Sequence, residues 1–353
     1  MRSLPRRLGV ALIVAAVLTS AGCSHHKKTP VAISSTPAPT TSAAPPPPPP
    51  PPPPRWPLTG VLMAAPVDRP ALAVKIENSI DARPQTGLNS ADMVWEEVVE
   101  GGITRYLAVY HSSLPPEIGP VRSVRPMDPS IAGPLHGLFA FSGGQRPFPA
   151  AAAAAGLQVL SMDAGSAGFY RVRVRPAPHN VYANLAVFLR QADVHHRHSP
   201  PPQFAFAGAG EQPTAVPAGT PAARLNLTLS GIGHPVWTWS QAAGTWLRSE
   251  GTTPAVQADG HRLHATNVVV LRVDVVNTRY IDPAGNPVPE TRLIGTGAAL
   301  VASAGHTITA TWSKSAVTST LTLTGADHQP IRLAPGTTWI ELVPNRTGAV
   351  SVG

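Results

Sequence analysis

The chain has one cysteine, Cys23, in 353 residues, so no disulfide can form within it and no cysteine-built metal centre can exist. Lysine is nearly absent: the 27 basic residues include only Lys27, Lys28, Lys75 and Lys314. No P-loop, dinucleotide fingerprint or G-x-S-x-G element occurs, and no complete catalytic motif was found. The net charge of +8 suggests a polyanion partner. However, Arg2, Arg6, Arg7, Lys27, Lys28 and Arg55 all precede residue 56, and the remainder holds 21 basic against 19 acidic residues. A nearly neutral folded part removes the main support for nucleic-acid binding.

What is present begins with an address. Arg2, Arg6 and Arg7 precede an apolar run, Leu8 to Ala21, of signal-peptide length and too short for a permanent membrane span. The run ends at Ala21-Gly22-Cys23, which resembles a bacterial lipobox, with Ser20 where leucine is usual. Residues 1–22 are therefore expected to be a lipoprotein signal peptide, with Cys23 acylated and the chain anchored on the outer face of the cytoplasmic membrane. Residues 23–56 read as a disordered proline-rich tether. Its ten consecutive prolines, Pro45 to Pro54, make a stiff spacer of roughly 31 Å in the polyproline II conformation.

Residues 57–205 read as an α/β domain with a mixed sheet, and 222–353 as a mainly β domain, with a Pro/Gly/Ala-rich connection between them. Ala71 to Asn78 alternates as a strand, with Leu72, Val74 and Ile76 on one face. Met93 to Val99 and Ile103 to His111 read as a hairpin closed by a two-residue Gly101-Gly102 turn, a register that sets Glu96 opposite Leu107 and Val98 opposite Arg105. Arg105 then lies between Glu96 and Glu100, while Glu97 faces the apolar side with Met93 and Trp95. Asp128-Pro129 is expected to cap a helix to about Leu135. Ser142-Gly143-Gly144-Gln145 between a strand and a helix is a tight turn or a weak anion nest. Asn184 is expected to cap a helix from Leu185 to Val194. Five of the seven tryptophans (237, 239, 246, 312, 339) fall in the β-rich part, either as core or as a sugar-stacking platform.

The candidate site is a polar cleft of Lys75, Glu77, Asn78, Glu96, Glu97, Glu100, Arg105, Arg122 and Arg125. Ser142, Gln145, His179 and Asn180 extend it. One reading is an ion-pair network that pins the hairpin and, with it, a non-catalytic binding or scaffolding role toward a cell-wall polymer or envelope protein. The other is a glycan hydrolase using a carboxylate pair, Glu97 with Glu96 or Glu77, and with His179 nearby. No cofactor and no metal are expected.

Several of these segments in order, VKIENSIDARPQTGLNSADMVWEEVVEGGITRYLAVYHS, IGPVRSVRPMD, FAFSGGQ and RPAPHNVYAN, resemble the YerB-like bacterial lipoproteins. Downstream, VVVLRVDVV, RLIGTGAALV, TATWSK and PGTTWIELVP are similar to the second domain of that family. The resemblance covers about residues 57–353. It implies an exported, lipid-anchored, two-domain protein and supplies no reaction.

Overall fold

Period-two alternation builds the first three strands: β1 (Leu72–Glu77), β2 (Met93–Val98) and β3 (Thr104–Tyr110). The computed structural model describes residues 53–353; the expected signal segment, Cys23 and the tether up to residue 52 lie outside the described residues. Leu72, Val74 and Ile76 enter one hydrophobic core and Ala73 the other, so β1 is buried on both faces. Lys75 shares the face of Ala73.

The chain continues through α1 (Asp128–Ala132), β4 (Leu138–Phe141), α2 (Pro147–Ala154) and β5 (Gln158–Ser161). A small hairpin of β6 (Phe169–Arg171) and β7 (Val181–Ala183) precedes α3 (Leu185–Leu189). Then follow α4 (Ala215–Ala218), β8 (Arg224–Thr228), β9 (Pro235–Ser240), β10 (Thr245–Glu250) and the long β11 (Asn267–Ile281). The last strands are β12 (Pro287–Arg292), β13 (Gly295–Ser303), β14 (His306–Lys314), β15 (Thr322–Thr324), β16 (Thr338–Pro344) and β17 (Ala349–Val352). The fold is mostly strand with few, short helices.

Strands of both halves share one twelve-stranded mixed sheet, in the order β15-β14-β13-β11-β16-β2-β3-β1-β4-β5 with two strands off this path. The halves join where β2 and β16 run parallel, Met93 opposite Thr338 through Glu96 opposite Glu341. A smaller sheet of six strands, containing β8, β9, β10 and β17, contributes Leu225, Leu227, Trp237 and Trp246 to the core that Val74, Val94 and Trp339 also enter. The helices α1 and α2 contribute to the other core, with Ile131, Phe148 and Ala152 beside Trp95 and Leu107.

Four local expectations are corrected. The β2–β3 turn has three residues, Glu100–Gly102, and Val99 N–H donates to the Ile103 carbonyl. Glu97 therefore stands opposite Arg105 and Glu96 opposite Tyr106, one residue from the expected register. Gly101 and Gly102 both take positive φ, so the glycines serve a longer turn than the one read from them. Asp128 is not the N-cap of α1; Met127 is, and the Asp128 side chain is engaged elsewhere. Asn184 does cap α3 by accepting from Val187 N–H, but the helix ends at Leu189, ahead of the histidines. The connection before residue 222 is tied down rather than free: Phe204, Ala207 and Ala215 are buried, and Ala207 and Thr214 pair with Leu333 and Arg332.

Candidate functional site

Consecutive residues of a strand point to opposite faces, and this rule divides the predicted cleft in two. Lys75, Glu77, Glu97 and Arg105 lie on the face of α1. In register, Glu77 of β1 and Glu97 of β2 flank Arg105 of β3. Lys75 Nζ donates to Glu97 Oε1 and, at 2.7 Å, to Asp128 Oδ1. Asp128 Oδ2 accepts the Arg125 backbone N–H at 2.6 Å, so both its oxygens are occupied. Lys75, Glu97 and Asp128 are all completely buried. Burial, with the adjacent Asp128 charge, pushes the Glu97 carboxyl up to about 8 against the pull of Lys75. One Lys75 side chain thus serves two carboxyl groups, and burial favours the protonated form of Glu97. Its Oε2 has no hydrogen-bond partner among the described residues.

Toward the surface the same face carries Glu77 with Arg122 (3.2 Å) and Glu100 with Arg125 (2.5 Å). His179 Nδ1 lies 3.0 Å from Glu77 Oε1, and Ser79 Oγ donates to the same oxygen at 3.0 Å. Arg105 is 7% exposed and, among the described residues, has no carboxylate within ion-pair distance; its Nη1 donates to the Ser123 carbonyl at 3.1 Å. Burial, Arg125 and Arg122 together lower its pKa to about 9. Arg105 therefore does not bridge Glu96 and Glu100 as the two-residue turn implied.

On the opposite face lies a second network. Glu96 Oε2 is 2.7 Å from Arg248 Nη2, and Arg248 also meets Glu341 (2.9 Å) and Glu250 (3.0 Å). The guanidinium sits 5.0–5.6 Å from the ring centres of Trp339, Trp237 and Tyr106. Burial disfavours its charge, and Glu250, Glu96 and Glu341 outweigh that and hold its pKa well above the usual value. Burial raises the Glu341 carboxyl well above its ordinary range, and the neighbouring Glu96 adds to this. Asn78 binds this network too, donating to Glu96 and Thr104.

Glu96 and Glu97 thus face away from each other and cannot act together on one bond. Glu77 shares a face with Glu97, but the strand bearing Arg105 runs between them. Ser142 lies beside the Arg122 segment through its backbone N–H, whereas Gln145 reaches away to the Ile281 carbonyl. The Asp163 carboxylate lies against Gly143, where a Cβ would collide with it, so this turn is closed by the chain's own acid. Asn180 holds the β6–β7 hairpin through Arg171 and the Val172 carbonyl. Among the described residues no three metal-ligating side chains converge.

Sequence reasoning missed Asp128 as a charge partner, and Arg248, Glu250 and Glu341 altogether. An Asp directly before Pro129 reads as a helix cap, and this masks its charge role. The other three lie 150 or more residues from β2 in sequence, and only an arginine and an acid at buried strand positions could have signalled them. Of the five tryptophans in the β-rich half, 237, 246, 312 and 339 are core; Trp239 is half-buried against the same core as Trp237.

A groove borders both networks. A cavity of about 580 Å³ is lined by Ile80, Arg83, Ile232, Glu250, Pro254 and Leu263 among others. An adjoining one of about 400 Å³ shares Ile80, Arg83 and Ile232 and adds Ser79, Asp81 and Thr104.

Comparison with known proteins places these features in context. The profile "Protein of unknown function (DUF3048) N-terminal domain" matches residues 58–198, and the C-terminal domain profile of the same family matches 225–340. A Bacillus subtilis (strain 168) protein named "Putative lipoprotein YerB" is 36% identical over 141 residues, which are 39% of this chain and 42% of that protein. The aligned part thus spans less than half of that relative. The crystal structure of the YerB protein from Bacillus subtilis superposes with a TM-score of 0.70 at 22% identity, covering 84% of this chain and 99% of that one. That superposition shows a shared fold.

Proposed function

This chain belongs to the YerB-like DUF3048 family, and from that premise we propose that it is an exported, lipid-anchored binding or scaffolding module of the cell envelope. Its partner is a wall polymer or another envelope protein. The observation that carries this reading is that the acids of the predicted cleft are already bound by cations. Glu97 is held by Lys75, Glu96 by Arg248, Glu77 by Arg122 and Glu100 by Arg125. A glycosidase needs two carboxyl groups about 5–9 Å apart across an open cleft, one free to ionise. Glu96 and Glu97 are buried on opposite faces of one strand, which favours the binding reading over hydrolysis.

The first described residues reach the fold at Trp56, whose ring packs edge-on against His111 and beneath Arg69, beyond the end of β3. Glu77, Arg105 and Glu100 lie at the other end of the same strands. The described chain thus begins at the end of these strands away from Glu77, Arg105 and Glu100.

The test is binding of the purified chain to isolated cell-wall sacculi, beside Glu97→Gln, with released material analysed. Retention by the sacculi with no soluble products, equal for both proteins, is expected. Sugar or peptide products that disappear in Glu97→Gln would make the protein an enzyme and overturn the reading.

A further inference from the structure

Ile80 is 81% exposed and Ile232 67% exposed, high values for large aliphatic side chains. They stand on two different loops, one leaving β1 and one joining β8 to β9, and both line both cavities of the groove. The larger cavity is walled mainly by apolar groups, including Pro84, Pro254, Val256 and Leu263. The smaller is also largely apolar, through Ile80, Ile103 and Ile232, with Asn78, Ser79, Thr104 and the Asp81 carboxylate as its polar groups. Its size and mixture of apolar walls with a few polar groups suit a small organic ligand or a short chain segment.

Arg83 stands at the junction. Its Nε donates to Asn78 Oδ1 at 2.9 Å and its Nη2 to the Asn78 carbonyl at 3.0 Å; Nη2 also lies 3.3 Å from Glu250 Oε2. These contacts fix the plane of the guanidinium. Its Nη1 makes no hydrogen bond to any described residue, and the side chain is 32% exposed, so one donor end is left for a ligand. Glu250 does not oppose an incoming anion strongly, because Arg248 binds it from behind at 3.0 Å.

We propose that this groove binds the C-terminal end of a peptide, its last apolar side chain in the larger cavity, its carboxylate on Arg83 Nη1, and its preceding amides along the smaller cavity. The three parts of the groove match three parts of such a ligand: an aliphatic side chain, an anion with the geometry a guanidinium prefers, and backbone hydrogen-bonding groups. A glycan would find little in the larger cavity to stack on, since the tryptophans of this half face the core. The inference rests on the binding-module reading and names the ligand chemistry for it.

The experiment uses the full chain in detergent and equilibrium dialysis against two random tetrapeptide libraries, one with free C-terminal carboxylates and one amidated, with mass-spectrometric readout. Soluble wall-glycan oligomers and phosphatidylglycerol micelles form parallel arms. The expected result is retention of free-acid peptides ending in aliphatic residues, with the amidated forms retained at least tenfold less. Arg83→Gln should abolish that discrimination. Because Arg83 also holds Asn78, the exposed Ile232→Glu change is the second variant; it should remove retention and leave the melting temperature unchanged. Retention of neither library, equal retention of both, unchanged retention by Ile232→Glu, or retention of glycan or lipid in place of peptide would each overturn the proposal. Sacculus binding that survives in Ile232→Glu would remove only the peptide groove and leave the envelope-binding function standing.

Discussion

Lys75 is the residue on which the buried charge of one face depends. It is completely buried and pairs with both Glu97 and Asp128. Removing one partner from such a group strands the others in a medium that solvates them poorly. Lys75→Met should therefore destabilise the protein by about 3–5 kcal/mol, read from urea midpoints. Glu97→Gln should behave differently. With a folded pKa of about 8 and an unfolded value near 4.5, Glu97 binds a proton in the native state that the unfolded chain has released between those pH values. Its contribution to stability is complete below about pH 4.5 and is lost as the pH rises through 8. Glu97→Gln should thus match the parent below about pH 4.5 and flatten the decline between about pH 4.5 and 8. His111 has the opposite sign: burial lowers it to about 4, so its contribution is present above about 6.5 and lost on acidification toward 4. Between about pH 4.5 and 6.5 the two slopes oppose each other, so Glu97→Gln should uncover the rise due to His111. Melting curves at half-unit pH steps separate the two limbs.

At the scale of single elements the strands were largely legible and their register was not. Period-two patterns place β1, β2 and β3 within a residue or two, because each needs an apolar face against a core. A turn is read from two or three residues, and two adjacent glycines suit a two-residue loop as well as the three-residue loop that forms. The difference of one residue moved Arg105 from the company of Glu96 to that of Glu97, and that slip explains most of the error in the predicted site. The turn itself can be tested. Gly101 has φ of 67° and open space around its Cα, so a substitution there meets backbone strain and no steric contact. Gly101→Ala should cost about 1 kcal/mol, and Gly101→Asn less, since asparagine tolerates the left-handed region. Equal losses for the two would show that the loop, not its φ, is at fault.

At the scale of the whole molecule the two family domains are not two independent cores. β2 of the first half and β16 of the second pair directly, and the core that takes in Val74 and Val94 also takes in Trp237, Trp246 and Trp339. Arg248, from the second half, neutralises Glu96 of the first. No local pattern could reveal this, because the pairing joins residues more than 240 positions apart and the intervening proline-rich stretch reads as a boundary. A chain ending at residue 205 would leave β2 as an exposed, apolar edge and Glu96 buried without its arginine. The full protein should therefore unfold in one cooperative transition, with tryptophan fluorescence and far-ultraviolet circular dichroism giving the same midpoint. The fragment 53–205 should fail to give a cooperative melt and should aggregate or be digested rapidly by protease. Two separated transitions in the full chain, or a protease-resistant 53–205 fragment with its own sharp melt, would mean that the β2–β16 seam is an interface between autonomous domains and not a strand pair on which both depend.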